Sequence, residues 1–444
     1  MTAMLSSSSL SPSPFLQTFG SFAAGAVVAV VSLSKKNNHP RLFFTIVAIL
    51  VFSGFYHSSK FSPFFDYNTI WARFQIIYLS GQAFVHLLVS QDELEEERRI
   101  FVESESTLAF MCDRQLLGQL SSNLRAEKGS KFTPGQRSWH FAYHLSACSQ
   151  YKSTRWEVRR RSEGPVESQP SVSRGVFLFH RLVKLACRCV ALAILLDPAL
   201  YLRLPGPGPP YPVAQDFSSS NTIFFRRLLP GYRNTEEYDL KRATVLRLHW
   251  FFTGSLQDYL NFTIGYDVLV ILGVALHLDE PVQWRLYGNP VEAYTVRRYW
   301  ARWQHLIVYR PLVSWAAKIV GRGGTVRRYA HNWFVFVVSG LMHSTVTLVM
   351  SPQTSLQCGF MGVTRYYALQ PVGMIIEALG IRLLATVEQR VFSKLKSTGL
   401  WPVYREIRWF IGRLLGYLWV FSFMTWAMTS SHFSEEHCAM SMAE

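Results

Sequence analysis

The chain has 444 residues, 49% of them apolar and 15% aromatic, with a mean hydropathy of +0.11, and 45 lysines and arginines against 29 aspartates and glutamates give it a formal charge of +16. A water-soluble protein of this length is more polar, so the composition points to a membrane protein; tryptophan-rich apolar runs turn the basic excess toward anionic lipid or a polyphosphate ligand and away from nucleic acid. The six cysteines, Cys112, Cys148, Cys187, Cys189, Cys358 and Cys438, show no CxxC pair and no metal-finger spacing, so neither a disulfide scaffold nor a metal site is expected and all six read as structural.

Ser6–Pro14 is a serine–proline tract expected to be disordered, and the apolar run Phe15–Leu33 behind it reads as the first membrane span. A cleaved secretory leader is the alternative; no basic stretch precedes the run, and a second run, Leu42–Tyr56, follows at once. Lys35, Lys36 and Arg41 between the runs put that loop on the cytoplasmic side and the N-terminus on the luminal side. Trp71–Val89 is a third, less apolar span. From Gln91 to Arg174 the apolar period is lost. The acidic run Asp92–Arg99 reads as a solvated helix face, and the basic, serine-rich remainder, with Arg155, Arg159, Arg160 and Arg161, as an extramembrane loop. His140 and His144 have the spacing that holds a metal on a helix, but no third ligand stands nearby.

Val176–Leu202 is the next apolar segment, and Leu204–Pro212, crowded with proline and glycine, is a loop. Arg242–Phe262 mixes arginine, histidine and aromatics as an interface helix does, and Ile264–Leu278 reads as a separate span. The Asn261-Phe262-Thr263 glycosylation sequon falls at the membrane edge between them.

The stretch from Arg297 to His343 carries the most chemistry. Read as one helix, Arg298, Arg302 and His305 share a stripe with Trp300, Trp303 and Ile307 on its flank, and Pro311 ends or kinks the element. Tryptophan suits the headgroup level and arginine suits phosphates, so this is an interfacial helix, for which a plain surface anchor is the competing reading. A basic loop, Arg322–Arg328, leads to the apolar run Phe334–His343. If Asn332–Met350 is helical, Ser339, His343 and Thr347 form one inward polar stripe; ionisable groups inside a span tend to mark function. The competing reading is a small-residue packing seam of Ser339, Gly340 and Thr347 across which His343 hydrogen-bonds.

Val363–Leu384 contains Gln370, Pro371 and Glu377, residues out of place against lipid, so a packed, water-lined or ligand-lined setting is expected there. Phe410–Met428 is the last span. The expected fold is all-α and polytopic, with about eight transmembrane helices, one or two of them re-entrant or interfacial, at roughly 20 residues per crossing.

Three motifs resemble the fungal wax-synthase-like branch of the membrane-bound O-acyltransferases. Asn289-Pro290 followed by Tyr294 to His305 is similar to that family's aromatic-Trp-Gly-Arg/Lys-x-Trp-His segment; Ser339-Gly340-Leu341-Met342-His343 resembles its membrane histidine; Tyr366-Tyr367-Ala368-Leu369-Gln370-Pro371 with Glu377 resembles its aromatic-x-Leu-Gln-Pro and Glu element. Ala301 stands where the family has glycine, and Gln304 where it has tryptophan. The likeness implies an MBOAT-like fold: a leader over 1–14, transmembrane helices over 15–90, an extramembrane loop over 91–174 and an acyltransferase core over 175–444. It implies acyl-CoA as co-substrate, acetyl-CoA in the fungal branch, and a lipophilic alcohol such as a hydroxylated terpenoid as acceptor. No bound cofactor is implied. Wax-ester synthesis from long-chain acyl-CoA and fatty alcohol is the alternative within the family.

Chemistry fits that implication. An alcohol attacks a thioester poorly unless its proton leaves as the C–O bond forms, and histidine, with an ordinary pKa of about 6.5, is suited to take it. His343 is the expected base, and His305 or Gln304 the donor for the developing oxyanion. Trp300, Trp303, Gln304, Ser339, Gln370 and Glu377 are the expected substrate-binding residues, and Arg298, Arg302, Arg327 and Arg328, with Arg322, the expected phosphate ligands for coenzyme A. Gly-x-Ser-x-Gly, His-x-x-x-Asp and His-Glu-x-x-His are absent, as are the repeated halves of a transporter, the non-enzyme alternative. The expected location is the endoplasmic reticulum membrane.

Overall fold

The computed structural model describes residues 12–60, 65–103, 133–147, 151, 154–158, 173–197, 203–205, 209–218, 240–278, 286–321, 323–395 and 401–442. The expected disorder of most of the serine–proline leader, and Cys112, Cys148, Arg159–Arg161 and Arg322, lie outside these residues. Among the described residues there are helices and connecting segments and no strand.

Pro12–Phe15 and a π-helical turn, Leu16–Gly20, lead into α1 (Ser21–Ser34), which lies antiparallel to α2 (Pro40–Tyr56). Gly25 and Gly54 permit the close approach: a Cβ on Gly25 would stand 3.0 Å from Val51, and one on Gly54 2.8 Å from the Thr18 carbonyl oxygen. Next comes α3 (Phe65–Leu87), whose reduced hydropathy has a structural reason. Asn68, Gln75, Gln82 and His86 are buried and bonded inward, to the Ser59 carbonyl, the Ser58 hydroxyl, Ser146 and the Ser32 hydroxyl respectively. A polar row that meets protein instead of lipid costs the helix little.

The stretch expected as a loop contains α4 (Gln91–Glu103) and α5 (Pro134–Ala147). Ser90 and Glu93 cap the start of α4 reciprocally. The acidic run is not wholly a solvated face: Glu97 is fully buried and accepts a 2.6 Å bond from Arg155 Nε, a pairing partner too distant in sequence to be read from the run. Phe84, Leu94, Phe101, Phe141, Leu145 and Trp156 close a core between these helices and α3.

After α6 (Arg174–Leu196) comes α7 (Leu240–Ala275), and here the structure corrects the sequence reading. The interface helix and the following span are one helix of 36 residues, with Asn261 buried at 7% exposure inside it. Three of its charges are made tolerable by ion pairs: Arg242 pairs with Asp216, Asp267 with Arg181 and Arg188 of α6, and Asp258 with Arg73 of α3.

The remaining helices are α8 (Tyr309–Ile319), α9 (Thr325–Met350), α10 (Pro352–Cys358), α11 (Gly362–Leu395) and α12 (Trp401–Ser441). Pro311 sits in the first turn of α8, where its missing N–H costs nothing, and so helps to start that helix rather than ending the one before. Gly321, Gly323 and Gly324, at φ 81°, 102° and 69°, make the turn into α9, which therefore begins early enough to carry Arg327 and Arg328 in its first turn rather than in the loop. Five segments, Leu16–Ser34, Lys241–Ala275, Thr325–Met350, Gly362–Val387 and Ile407–Ser441, are long and apolar enough to cross a membrane, and Pro40–Tyr56 is a shorter apolar helix. The segments expected to span fall largely on these helices or on α3 and α6, with residues 198–202 of the Val176–Leu202 segment outside the described residues; the described residues thus give five such spans, not the eight expected. Cys358 and Cys438 form a disulfide that joins the end of α10 to the end of α12. Its partners stand 80 residues apart, a separation that gives no spacing signal, and the expectation of no disulfide is corrected accordingly.

Candidate active site

His343 sits on α9, half-buried, at the contact with α11. That contact is close because of Gly340, whose Cβ would come within 2.7 Å of the Thr364 Cα. The helices are further tied by the Ser344 and Thr364 hydroxyls at 2.7 Å. The result is a defined setting for the imidazole: Nε2 shares a 3.0 Å hydrogen bond with the Tyr367 hydroxyl, and the two rings stack at 16° with centroids 5.0 Å apart. Ser339 stands one turn earlier on α9, also half-buried, and Thr347 one turn later, bonded to the His343 carbonyl.

The segment carrying the tryptophans approaches the same place by a different route from the one expected. Thr295 caps a single α-turn, Val296–Arg298, and the chain then widens into a π-helical turn, Tyr299–Trp303. Gln304 N–H closes that turn on the Tyr299 carbonyl at 2.9 Å, and its own backbone is extended (ψ 156°). His305 thus lies beyond the helix, and the Arg298–Arg302–His305 stripe is not formed. A π-turn rotates the chain differently from an α-turn and frequently occurs at functional sites. His305 is instead held among rings, 4.7 Å from Phe262 and 5.6 Å from Tyr287 between centroids.

The tryptophans and Gln370 come together. Trp300 Nε1 donates to Gln370 Oε1 at 3.0 Å, and its ring meets Phe336 and Tyr367 at 5.2 and 5.5 Å. Gln370 is fully buried and donates in turn to the Tyr366 carbonyl. Trp303 packs edge-on to Tyr299 at 4.8 Å. Gln304 Nε2 donates to the Tyr299 hydroxyl at 3.0 Å, and burial pushes that phenol up to about 12, so it stays protonated. Glu377 faces the start of the segment: its carboxylate accepts from the Val296 N–H at 2.5 Å and also from Thr295 and the Arg297 N–H. It stands where a capping acid stands, at the amino end of the turn.

The arginines separate into two groups. Arg298 donates to the Glu292 carboxylate at 2.5 Å and lies 4.3 Å over the Tyr294 ring, and Arg302 reaches the same carboxylate at 3.5 Å. Arg327 and Arg328 are exposed at the start of α9.

Sequence reasoning missed Tyr367, Arg73, Asp258 and Ser255. Tyr367 was legible, since it lies inside a quoted motif next to Gln370. Ser255, Asp258 and Phe262 share one face of α7; Ser255 bonds to Tyr299, Phe262 meets His305, and Asp258 pairs with Arg73 at 2.6 Å. Arg73, Asp258 and His305 all stand close enough to His343 to act on it electrostatically. What the site offers chemically is a proton acceptor, several donors and a buried aromatic wall. Among the described residues no three histidine, cysteine or acidic side chains cluster as a metal would need.

Residues 284–363, which include both histidines, match the family model described as the membrane bound O-acyl transferase family. The chain is 26% identical to Acetyltransferase ataH of Aspergillus terreus, over 61% of this chain and 81% of that one. It is 27% identical to Acetyltransferase atnC of an Arthrinium species, over 61% and 57%, and 27% identical to Acetyltransferase aurG of Calcarisporium arbuscula, over 63% and 61%. The alignment thus spans less than two thirds of the latter two relatives. No solved structure matches the chain.

Proposed function

We propose that this chain is a membrane-bound O-acyltransferase, an integral membrane enzyme, and within that class an acetyltransferase that moves acetyl from acetyl-CoA to a hydroxyl of a terpenoid or related secondary metabolite. The observation that carries this reading is the enclosed His343–Tyr367 pair, facing a segment that brings His305 and Trp300 to the same place. The relatives' printed names supply the acetyl group.

In this reading the acceptor oxygen attacks the thioester carbonyl carbon while His343 takes its proton. The C–S bond then breaks, and the departing thiolate recovers the proton from the imidazolium. No acyl-enzyme forms. Tyr367 fixes the ring plane, so an alcohol that bonds to Nε2 in its place meets an imidazole already oriented. His305 or Gln304 donates toward the oxyanion, and Trp300, Trp303 and Gln370 shape the wall against which the acyl and acceptor groups lie. Arg327 and Arg328, exposed at the start of α9, and Arg298 and Arg302, which share Glu292, are the candidate ligands for the phosphates of coenzyme A. The first pair lies about 23 Å along α9 from His343, so the coenzyme has to bind extended. The enzyme works in the endoplasmic reticulum membrane.

The test is expression in yeast microsomes with labelled acetyl-CoA or palmitoyl-CoA, offered farnesol, ergosterol or hexadecanol. Acetyl ester of a terpenoid or sterol alcohol is the expected product. Palmitoyl ester of hexadecanol as the main product would make the chain a wax-ester synthase, and no ester from carbonate-resistant, inserted protein would overturn the reading.

A further inference from the structure

Three residues of helix α7 form ion pairs, and their settings are not alike. Asp267 is fully buried and held by two arginines, Arg181 Nη1 at 2.9 Å and Arg188. Asp216, which binds Arg242 at the start of the helix, keeps only 11% of its side-chain surface. Both are closed structural clamps. Asp258 differs: it engages Arg73 through Oδ1 alone, at 2.6 Å, and keeps 52% of its side-chain surface accessible. Its Oδ2 has no protein partner among the described residues.

Position decides where that free oxygen points. Asp267 is about two and a half turns further along α7 and therefore on its opposite face. Asp258 shares its face with Ser255, which bonds to Tyr299, and with Phe262, which meets His305. Its charge reaches His343, Tyr287, Tyr299 and Tyr367. A carboxylate in a long apolar helix, half accessible and on the face that carries Ser255 and Phe262, is out of place against lipid and suits a polar, ligand-lined setting. A carboxylate held through one oxygen keeps the lone pairs of the other available to a donor.

We infer that Asp258, held in place by Arg73, is an acceptor-binding residue: its open oxygen accepts a hydrogen bond from the hydroxyl of the alcohol substrate. The inference rests on the acyltransferase reading for the acceptor being an alcohol. Arg73 acts through Asp258 and is a positioning residue. Because α3 supplies Arg73 and α7 supplies Asp258, the acceptor side of the site is assembled from the N-terminal helices as well as from the segment matched by the family model.

The experiment measures equilibrium binding of tritiated farnesol, ergosterol and hexadecanol to the detergent-solubilised full chain without acyl-CoA, so the result does not depend on transfer being observed. Removing Asp258 alone strands Arg73, so the main variant is the neutral double substitution Arg73→Gln/Asp258→Asn, which leaves no unpaired charge; Asp267→Asn, paired with Arg188→Gln and Arg181→Gln, controls for loss of a clamp. The double variant is expected to bind the preferred alcohol about ten- to a hundredfold more weakly, the weight of a hydrogen bond to a charged group, with an unchanged elution profile. Asp258→Glu, with Arg73 kept, is expected to recover part of the affinity. Equal binding by the wild type and the double variant would overturn the inference, as would a wild type that binds none of the three alcohols. Bound alcohol with no ester formed would instead overturn the transferase reading and leave Asp258 as the anchor of a binding site.

Discussion

Three side chains divide the proposed chemistry at His343 in ways that substitutions separate. His343→Ala is expected to lower turnover about a hundred- to ten-thousand-fold, with insertion intact, because a general base contributes that much and alanine is at home in a span. His343→Asn should be as poor, since an amide accepts no proton at neutral pH, whereas His305→Asn should keep measurable turnover because it still donates. Rates of the single variants, normalised to inserted protein, decide it; an active His343→Asn beside a dead His305→Asn would move the base to His305. Tyr367→Phe keeps the stacked ring and removes the hydroxyl 3.0 Å from Nε2. Its expected effect is a two- to tenfold loss in kcat, about the worth of one neutral hydrogen bond, at unchanged KM for acetyl-CoA. At this scale the two histidines were candidates in the sequence because each stands at the end of a recognisable pattern. Asp258 was not, for a charge assigned to an interface helix needs no explanation until the helix is seen to be longer than its apolar part.

At the scale of elements, the site depends on close approaches that side chains would block. A Cβ on Gly416 of α12 would fall on the carbonyl oxygen of Tyr294, and backbone cannot swing aside as a side chain can. Gly416→Ala should therefore shift the segment bearing Trp300 and His305, costing about 1–3 kcal/mol as an overpacking and lowering both the thermal midpoint and activity. Wild-type thermal stability in this variant would show that α12 does not brace the segment. The packed pair α4–α5 makes a pH prediction. Burial, with His140 nearby, holds the His144 imidazole down to about 4. Its folded value lies below the unfolded value of about 6.5, so its contribution is full above 6.5 and is lost as pH falls through 4. Hydrogen exchange over 91–103 and 134–147 should quicken across that window, and His144→Phe, which cannot titrate, should flatten the response.

For the whole molecule, the ends of the helices sort by charge and by chemistry. Phe55 of α2, Ala72 of α3, and Val346 and Met350 of α9 form one cluster, which places the end of α2 and the early turns of α3 beside the carboxyl end of α9 and hence near the Cys358–Cys438 disulfide. The opposite end gathers Lys36, which pairs with Asp92, Arg98, which reaches the Ser34 carbonyl, Arg310, which binds the Trp156 carbonyl, and Arg327 and Arg328. Disulfides persist in oxidising compartments, and basic loops stay cytoplasmic. Both rules give one orientation, with the disulfide end luminal. An Asn37→Cys variant lacking Cys112, Cys148, Cys187 and Cys189 should be labelled by an impermeant maleimide in intact, right-side-sealed microsomes. Labelling only after the vesicles are opened would invert the topology.

The sequence alone determined that the chain is helical and rich in apolar spans, and that Trp300, His343 and Gln370 lie in motifs that resemble one family's. Apolar run length and motif order are local properties of a chain, readable wherever water is excluded. What only the tertiary structure decided is which polar residues meet. The π-turn that takes His305 off its helix, the capping role of Glu377, the disulfide across 80 residues, and the unequal ion pairs of α7 all depend on partners remote in sequence. A charge in a membrane helix has the same letter whether it closes a clamp or faces a substrate. The difference lies in how many of its lone pairs the rest of the fold has filled.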